Sequence, residues 1–412
     1  MSNAVQYTDM KDSGIKWIGS VPASWNVRTL YQLATRVNNK NSDLAEQNLL
    51  SLSYGKIKRK DINTNDGLLP ASFDGYNIIE AGDIVLRLTD LQNDHTSLRV
   101  GHATERGIIT SAYTTLRPIN PAHSRYLYYL IHAFDLKKGF YGMGSGVRQG
   151  LNYDEVKELR IVIPSQKEQN EIVSFLDDKC EQIDILIEDA KENIEEYRDW
   201  KDSFVFEAIT KGLNRNVVLK ESGIDIIGKI PEGWTLRRLR FLCEIMTGNQ
   251  DTQNAVDDGI YPFYVRSPIV EKANVYTFDG EGILMAGDGA GAGRVFHHAT
   301  GKYAIHQRVY CFHDFKDINP RFFFYFMSNR FKIEMDKGSA KSTVPSVRLP
   351  MLQDFNICLP TIEEQNEICE YLDHKVSEID SLIAEKEELI NNLELYKRSL
   401  IYETVTGKRK VV

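Results

Sequence analysis

Two long segments of the chain carry apolar residues at alternating spacings of three and four. The first runs Cys180, Ile183, Ile187, Ala190, Ile194, Tyr197, Lys201 and Phe204. The second runs Val376, Ile379, Ile383, Lys386, Ile390, Leu393, Lys397 and Leu400, position for position, 196 residues later. Such a stripe predicts an amphipathic helix whose seam buries itself against another helix. Each segment opens with a capping-box pattern directly after a proline, Pro164-Ser165-Gln166-Lys167-Glu168 and Pro360-Thr361-Ile362-Glu363-Glu364. There the hydroxyl accepts from the amide three residues on, and the glutamate is expected to reach back to the cap amide. Gly212 and Gly407 mark the expected helix ends. Roughly 40 residues at ~1.5 Å rise make rods of about 60 Å. Because the two stripes share a register, the economical partner for each helix is the other. The expected seam joins Ile183, Ile187, Ile194 and Tyr197 to Ile379, Ile383, Ile390 and Leu393, and its lysines predict imperfect or partly wet packing.

The helices belong to a wider duplication. Residues 11–30 (KDSGIKWIGSVPASWNVRTL) return as 220–239 (KESGIDIIGKIPEGWTLRRL) at an offset of 209, and 163–210 return as 359–406 at an offset of 196. The unequal offsets mean that a shared frame encloses two inserts of different length. The pattern divides the chain into a globular module over 1–164, a long helix over 165–212, a second module over 213–361 and a C-terminal long helix over 362–412. The expected fold class is α+β, with two globular α/β modules separated by two long helices that form an antiparallel coiled coil, and an internal pseudo-twofold repeat. DNA has local dyads of its own, so two inverted readers held apart by a rod match a split target sequence.

Charge supports a division of labour. The net charge is −8, yet segment 165–212 alone has 6 Lys/Arg against 14 Asp/Glu, and 362–412 has 7 against 12. The modules therefore carry a mild excess of base, +3 over 1–164 and +2 over 213–361, which permits local contacts with DNA. Hydrophobic residues make up 42% of the chain, which argues against general disorder. The five cysteines form no CxxC pair, and no signal-peptide pattern or long apolar run is present, so a cytoplasmic protein with reduced, buried thiols is expected.

Within the modules, GDIVLRLTD (82–90) leads to GIITSAYTTLRP (107–118), and GEGILMAGDGAGAGRV (280–295) leads to KYAIHQRVYCF (302–312). Ile109–Tyr113 and Ile305–Val309, again 196 apart, read as strands from their β-branched and aromatic content. In a strand His306 and Arg308 share one face and Gln307 takes the other. Arg and Gln suit bidentate hydrogen bonding to guanine and adenine edges. The candidate DNA contacts are Lys58, Arg59, Lys60, Arg87, Thr89, Asp90, Ser111, Tyr113, Arg148 and Gln149 in the first module. In the second they are Arg266, Arg294, His306, Gln307, Arg308, Lys341 and Ser342. Any one of them can equally be an ordinary solvated residue. Gly289–Gly293 is better read as a turn between strands than as a cofactor loop, because no repeated βαβ pattern or acidic ribose partner accompanies it. His297 and His298 have no spaced ligand partners, and Asn319-Pro320-Arg321-Phe322 lacks the second proline of an adenine methyltransferase motif. No catalytic signature stands out.

The openings SGI-x-x-IG-x-x-P-x-x-W at 13–25 and 222–234, with the P-(x3)-EQNEI-(x3)-LD helix starts at 164–177 and 360–373, resemble the specificity subunits of type I restriction-modification systems. The resemblance covers essentially the whole chain. It implies two target recognition domains, each reading one half of a bipartite, asymmetric sequence in double-stranded DNA, with the helices fixing the spacer. It also implies two modification (methyltransferase) subunits that carry S-adenosylmethionine, and restriction subunits that use ATP and Mg. The chain itself would be non-catalytic and bind none of these cofactors. Two other readings are a methyltransferase working through Gly289–Gly293, and a coiled-coil scaffold without DNA specificity. The first predicts stoichiometric binding of S-adenosylmethionine, and the second predicts no sequence-selective retention of DNA.

Overall fold

A computed structural model describes residues 6–63, 70, 72–91, 94, 98–143, 150–338 and 345–411. It resolves the chain into two compact units, Met1–Ala190 with Glu388–Val412, and Lys191–Glu387. Six α-helices are described: α1 (Ser124–Leu136), α2 (Tyr153–Lys157), α3 (Gln166–Lys211), α4 (Pro320–Gly338), α5 (Leu349–Asp354) and α6 (Ile362–Val405). The two long ones are α3 and α6, each of which contributes a segment to both units.

The duplication is a duplication of sheet topology. In the first unit a four-stranded sheet has the order Ala34–Arg36, Thr114–Pro118, Ile84–Leu86, Val100–His102. The second unit repeats it as Glu244–Thr247, Val309–His313, Gly282–Ala286, Phe296–Ala299. Register makes the correspondence residue-specific. Leu116 faces Ile84 as Phe312 faces Ile283, and Val85 faces Gly101 as Leu284 faces His297. The two strands that flank Ile84–Leu86 keep the 196 offset, while Ile84–Leu86 itself is shifted by 199 and the edge strand Ala34–Arg36 by 209, so the connection after Ile84–Leu86 is three residues shorter in the second unit. Frame ladders repeat too: Asn26–Thr29 pairs with Arg160–Ile163, and Thr235–Arg238 with Asn356–Leu359.

Each unit has its own main core, into which the long helices insert one face. In the first, Ile172, Leu176, Cys180, Ile183 and Ile187 of α3 join Leu400, Ile401 and Val405 of α6 around Trp25 and the apolar side of α1. In the second, Val205, Ala208 and Ile209 of α3 join Ile368, Cys369 and Leu372 of α6 around Trp234 and the phenylalanines of α4. Of the expected seam, Ile183, Ile187, Ile194, Ile379 and Ile383 are buried, and Tyr197, Ile390 and Leu393 are half-buried. Two of the three stripe lysines, Lys201 and Lys397, are ion-paired across the helices. Lys397 meets Asp184 at 2.6 Å in the first unit, and Lys201 meets Asp380 at 2.6 Å in the second, the same pair at the 196 offset. Arg198 lies 3.6 Å from Glu387, so within the second unit α6 numbers fall as α3 numbers rise, the order of an antiparallel pair.

A second repeated cluster ties each long helix to the globular part of its unit. Asp177 takes the Arg125 guanidinium at 2.7 Å and the Tyr129 hydroxyl at 2.6 Å. Asp373 takes Arg321 and, at 2.6 Å, the Tyr325 hydroxyl.

The helix starts follow the capping expectation only in part. Ser165 Oγ accepts from the Glu168 amide and Thr361 Oγ1 from the Glu364 amide, each at 3.3 Å. The glutamates are drawn elsewhere: Glu168 accepts from the Tyr7 hydroxyl and Glu364 from the Trp234 indole N–H. Tertiary donors outcompete the local cap amide. Both helices end at a left-handed glycine, Gly212 (φ 74°) and Gly407 (φ 70°). A Cβ on Gly407 would fall 2.2 Å from Pro22.

Burial separates the apolar faces of α3 sharply, since Ile187 is 8% exposed and Leu186 is 52% exposed. Ile187→Asp buries a charge without a partner and is expected to cost about 3–5 kcal/mol in urea unfolding. Leu186→Asp should stay within about 0.5 kcal/mol. Equal costs would refute the assigned face.

Candidate nucleic-acid interface

The register places the candidate residues at particular ends of the sheets. Thr114 faces Leu86, so the turn before Thr114 and the loop after Leu86 emerge side by side. This end collects Arg87, Thr89, Asp90, Ser111 and Tyr113. Ile109–Tyr113 is not the strand expected from its composition. The strand Gly107–Ile109 stops there, and a turn closed by Tyr113 N–H donating to the Thr110 carbonyl at 3.1 Å leads into Thr114–Pro118. Thr110 Oγ1 also accepts from the Ala112 amide at 3.3 Å, so a hydroxyl supplies the turn chemistry. Ser111 is exposed, whereas Tyr113 is half-buried against the small cluster of Leu50, Leu52, Ile79, Val85, Ala103 and Ile109.

The neighbouring loop is built on a residue that sequence reasoning missed. Arg99 is 0% exposed. Its guanidinium donates to the carbonyls of Arg87 (3.2 Å), Thr89 (2.7 Å), Asp90 (3.2 Å) and Asp94 (2.5 Å), and to the Tyr141 hydroxyl (3.0 Å). Its backbone N–H donates to Asp135 at 2.6 Å. Four main-chain acceptors gathered on one cation turn a polar loop into a fixed platform that presents Thr89 and Asp90 to solvent. Arg87 leans toward Asp94 at 3.6 Å. No local pattern announces Arg99, because its partners converge only in the fold.

The Lys58, Arg59 and Lys60 group lies apart from this platform. Lys58 and Arg59 sit on the hairpin strand Lys56–Arg59, where Lys58 faces Ser51, and Lys60 follows it. All three are exposed. Arg59 is paired with Glu105 at 2.5 Å, which raises the guanidinium pKa and lowers that of the carboxylate. Glu105 follows the strand Val100–His102 at the end remote from Arg87.

The second unit shows the same strand–turn–strand step, which corrects the reading of Ile305–Val309. Strand Lys302–Ile305 ends before His306, and Val309 N–H donates to the His306 carbonyl at 2.9 Å to close a turn. His306, Gln307 and Arg308 therefore do not alternate on a strand. His306 is 3% exposed and is the buried anchor of the turn. Its Nδ1 accepts from the Arg308 amide at 3.0 Å, and its Nε2 lies 3.3 Å from Thr252 Oγ1. Burial, then the Arg266 charge, lowers its pKa, which keeps Nδ1 available as an acceptor. Gln307 and Arg308 are exposed at the tip. Gln307 donates to Asp251 at 2.6 Å, while Arg266 and Arg308 flank Asp288 at 2.9 and 3.7 Å.

Close backbone packing holds that tip. A Cβ on Gly248 would lie 2.0 Å from the Ile305 carbonyl oxygen, and one on Gly287 would lie 2.9 Å from that of Arg308. Gly289–Gly293 lies in the turn between Gly282–Ala286 and Phe296–Ala299, as expected. Arg294 points away from the tip to an ion pair with Asp336 on α4. Arg148, Gln149, Lys341 and Ser342 lie outside the described residues.

Other candidates have structural partners. His297 is near the Ser267 carbonyl at 3.1 Å and His298 near Glu281 at 2.8 Å. Asn319 caps α4 by accepting from the Arg321 amide at 2.7 Å. The five cysteines are buried and form no disulfide. Among the described residues no helix is long and apolar enough to cross a membrane.

Comparison with known proteins decides the family. The model of the type I restriction modification DNA specificity domain matches twice, over residues 22–196 and 231–393. The chain belongs to this family. The EcoDI specificity subunit of Escherichia coli is 28% identical over 181 residues, 44% of this chain and 40% of that one. The MjaVIII specificity subunit of Methanocaldococcus jannaschii is 24% identical over 390 residues, covering 88% of this chain and 84% of that one. A solved chain described in work on complex assembly and conformational transition of the type I R-M system superposes with a TM-score of 0.70 at 15% identity. That match covers 93% of this chain and 98% of the other. This is a family of specificity subunits, so its function is DNA sequence recognition, and the two matched segments each include one sheet-end platform.

Proposed function

We propose that each unit reads one half of a bipartite, asymmetric sequence in duplex DNA. The observation that carries this reading is a common sheet topology whose equivalent end loops differ in length and chemistry. Thr110, Ser111 and Ala112 stand in the first turn where His306, Gln307 and Arg308 stand in the second. Scaffolds that share a sheet order but differ at their tips suit two different half-sites.

In this reading α3 and α6 form an antiparallel coiled coil that fixes the non-specific spacer and docks two modification subunits. The ion pairs and buried seam within each unit support the pairing. Exposed Leu186 and Leu382, and exposed Trp200 and Tyr396, recur at the 196 offset on otherwise acidic helices, and repeated apolar positions suit two copies of one partner. Methyl transfer from S-adenosylmethionine and ATP- and Mg-dependent cleavage would belong to the modification and restriction subunits.

The test is to map methylated sites in cells that express the chain with its modification subunit. A split motif is expected, and exchanging residues 31–150 for those of another specificity subunit should rewrite one half only. A change in both halves would overturn the modular reading.

A further inference from the structure

The tip of the second unit presents Gln307, Arg308 and Arg266, and each is held by a carboxylate that leaves its base-reading atoms outward. Asp288 sits beneath the two arginines. Its side chain is 22% exposed, against 44% for Arg266 and 65% for Arg308. Oδ1 accepts from one terminal nitrogen of Arg266 at 2.9 Å, and Oδ2 lies 3.7 Å from Nε of Arg308. The contact on Arg308 is at the stem side of the guanidinium, so its two terminal nitrogens remain free as a fork. A fork of that kind matches O6 and N7 of guanine. Two cations side by side repel, and Asp288 supplies the charge that lets both stay aimed from one edge.

Asp251 does the corresponding work for Gln307. An ionised carboxylate only accepts, so the atom 2.6 Å from its Oδ2 must be the amide nitrogen of Gln307. This settles the orientation of an amide that would otherwise be free to flip. The bond uses one N–H and leaves the second N–H and the carbonyl oxygen, the pair that meets N7 and N6 of adenine. Asp251 is itself fixed, because its amide donates to Asn254 Oδ1 at 2.8 Å, and the carbonyl of the preceding Gln250 accepts from the Gln307 amide at 2.8 Å.

We propose that Asp288 and Asp251 are the positioning residues that set the specificity of the second unit, and that its half-site contains a guanine beside an adenine. The inference rests on the reading that this unit contacts base edges. The first unit cannot repeat the arrangement. By register, Thr89 occupies the place of Asp288, and Ala112 the place of Arg308. The two half-sites therefore differ in kind, with no carboxylate-aimed arginine fork at this turn in the first.

The test uses the full chain co-expressed with its modification subunit and reads the methylation motif genome-wide for Asp288→Asn, Asp251→Asn and Arg308→Ala, with melting curves recorded in parallel. Asp288→Asn keeps the shape of the side chain but not its charge. It should relax preference at one guanine position by about tenfold or more, with the other half of the motif unchanged. Asp251→Asn should relax the neighbouring adenine in the same way, since an asparagine amide permits both orientations of Gln307. An undiminished motif in both variants, or a uniform drop at all sites that follows a lowered melting temperature, would overturn the inference. If exchange of 31–150 still rewrites one half in that case, the DNA-reading proposal survives alone. If neither that exchange nor Arg308→Ala alters the motif, both proposals fall.

Discussion

Arg99→Met should lower the free energy of unfolding by about 3–5 kcal/mol and erase recognition of one half-site. Methionine can fill much of the volume of the arginine stem, so the loss isolates the guanidinium. The carbonyls of Arg87, Thr89, Asp90 and Asp94 and the Tyr141 hydroxyl would lose the guanidinium, although the Asp94 amide still donates to the Asp90 carbonyl and the Tyr141 hydroxyl to the Asp94 carbonyl. Water can rescue only those that reach the surface, and Arg99 is fully buried. Freed of its anchor, the loop after Ile84–Leu86 no longer presents Thr89 and Asp90 in one geometry. Recognition by the first unit should fail, while the half of the methylation motif set by Gln307 and Arg308 persists. Urea unfolding gives the energetic part of the result, and motif mapping in cells gives the functional part. A variant that melts normally and methylates the full motif would show that Arg99 is dispensable to the platform.

The long helices were legible because their signals are local and repeated. A stripe at three-four spacing, a hydroxyl after proline and a terminal glycine each act within a few residues, and the 196 offset states them twice. Lys201, Lys386 and Lys397 interrupt the stripe in the sequence, and Lys201 and Lys397 are ion-paired. Their partners, Asp380 and Asp184, lie on the other helix and so carry no periodic signal. The strand reading of Ile109–Tyr113 and Ile305–Val309 failed for a different reason. Both turns lack the Gly, Pro or Asn that usually marks a reversal. One is closed with the help of a threonine hydroxyl, and the other around a buried neutral histidine. Asp251, Asp288 and Arg99 were invisible because their roles depend on partners that only the fold brings within reach. Nothing in the sequence signals that Lys58–Lys60 and Arg87 lie apart, because that separation is set by sheet register, which puts the Arg59–Glu105 pair at the end remote from Arg87.

Acid should weaken the first unit through two histidines that fold in the neutral state. Burial, the largest cause, holds the pKa of His102 and of His132 at about 4, against an ordinary value of 6.5. The charges of Arg125 near both rings, and of Lys397 and Arg398 near His132, act in the same direction, while Asp177 and Asp83 oppose them at His102. Tyr128 packs against both rings at 5.5 Å, and neither Nδ1 has a hydrogen-bond partner that protonation would strengthen. Between pH 6.5 and 4 the unfolded chain binds protons that the folded one does not, so stability is complete above 6.5 and falls as the pH drops. By pH 5 each histidine should have cost about 2 kcal/mol. Asp135 works in the opposite sense. Burial raises its pKa to about 6, so the folded state takes up a proton first and regains about 1 kcal/mol by pH 5. The net loss from these three groups between pH 7 and pH 5 is then about 3 kcal/mol. Comparing His132→Phe with the parent chain at each pH isolates one contribution, because other titrating groups cancel in the difference. The phenylalanine variant should gain about 2 kcal/mol on the parent as the pH is lowered from 7 to 5. A difference that stays constant over that range would mean that His132 is not held neutral by the fold.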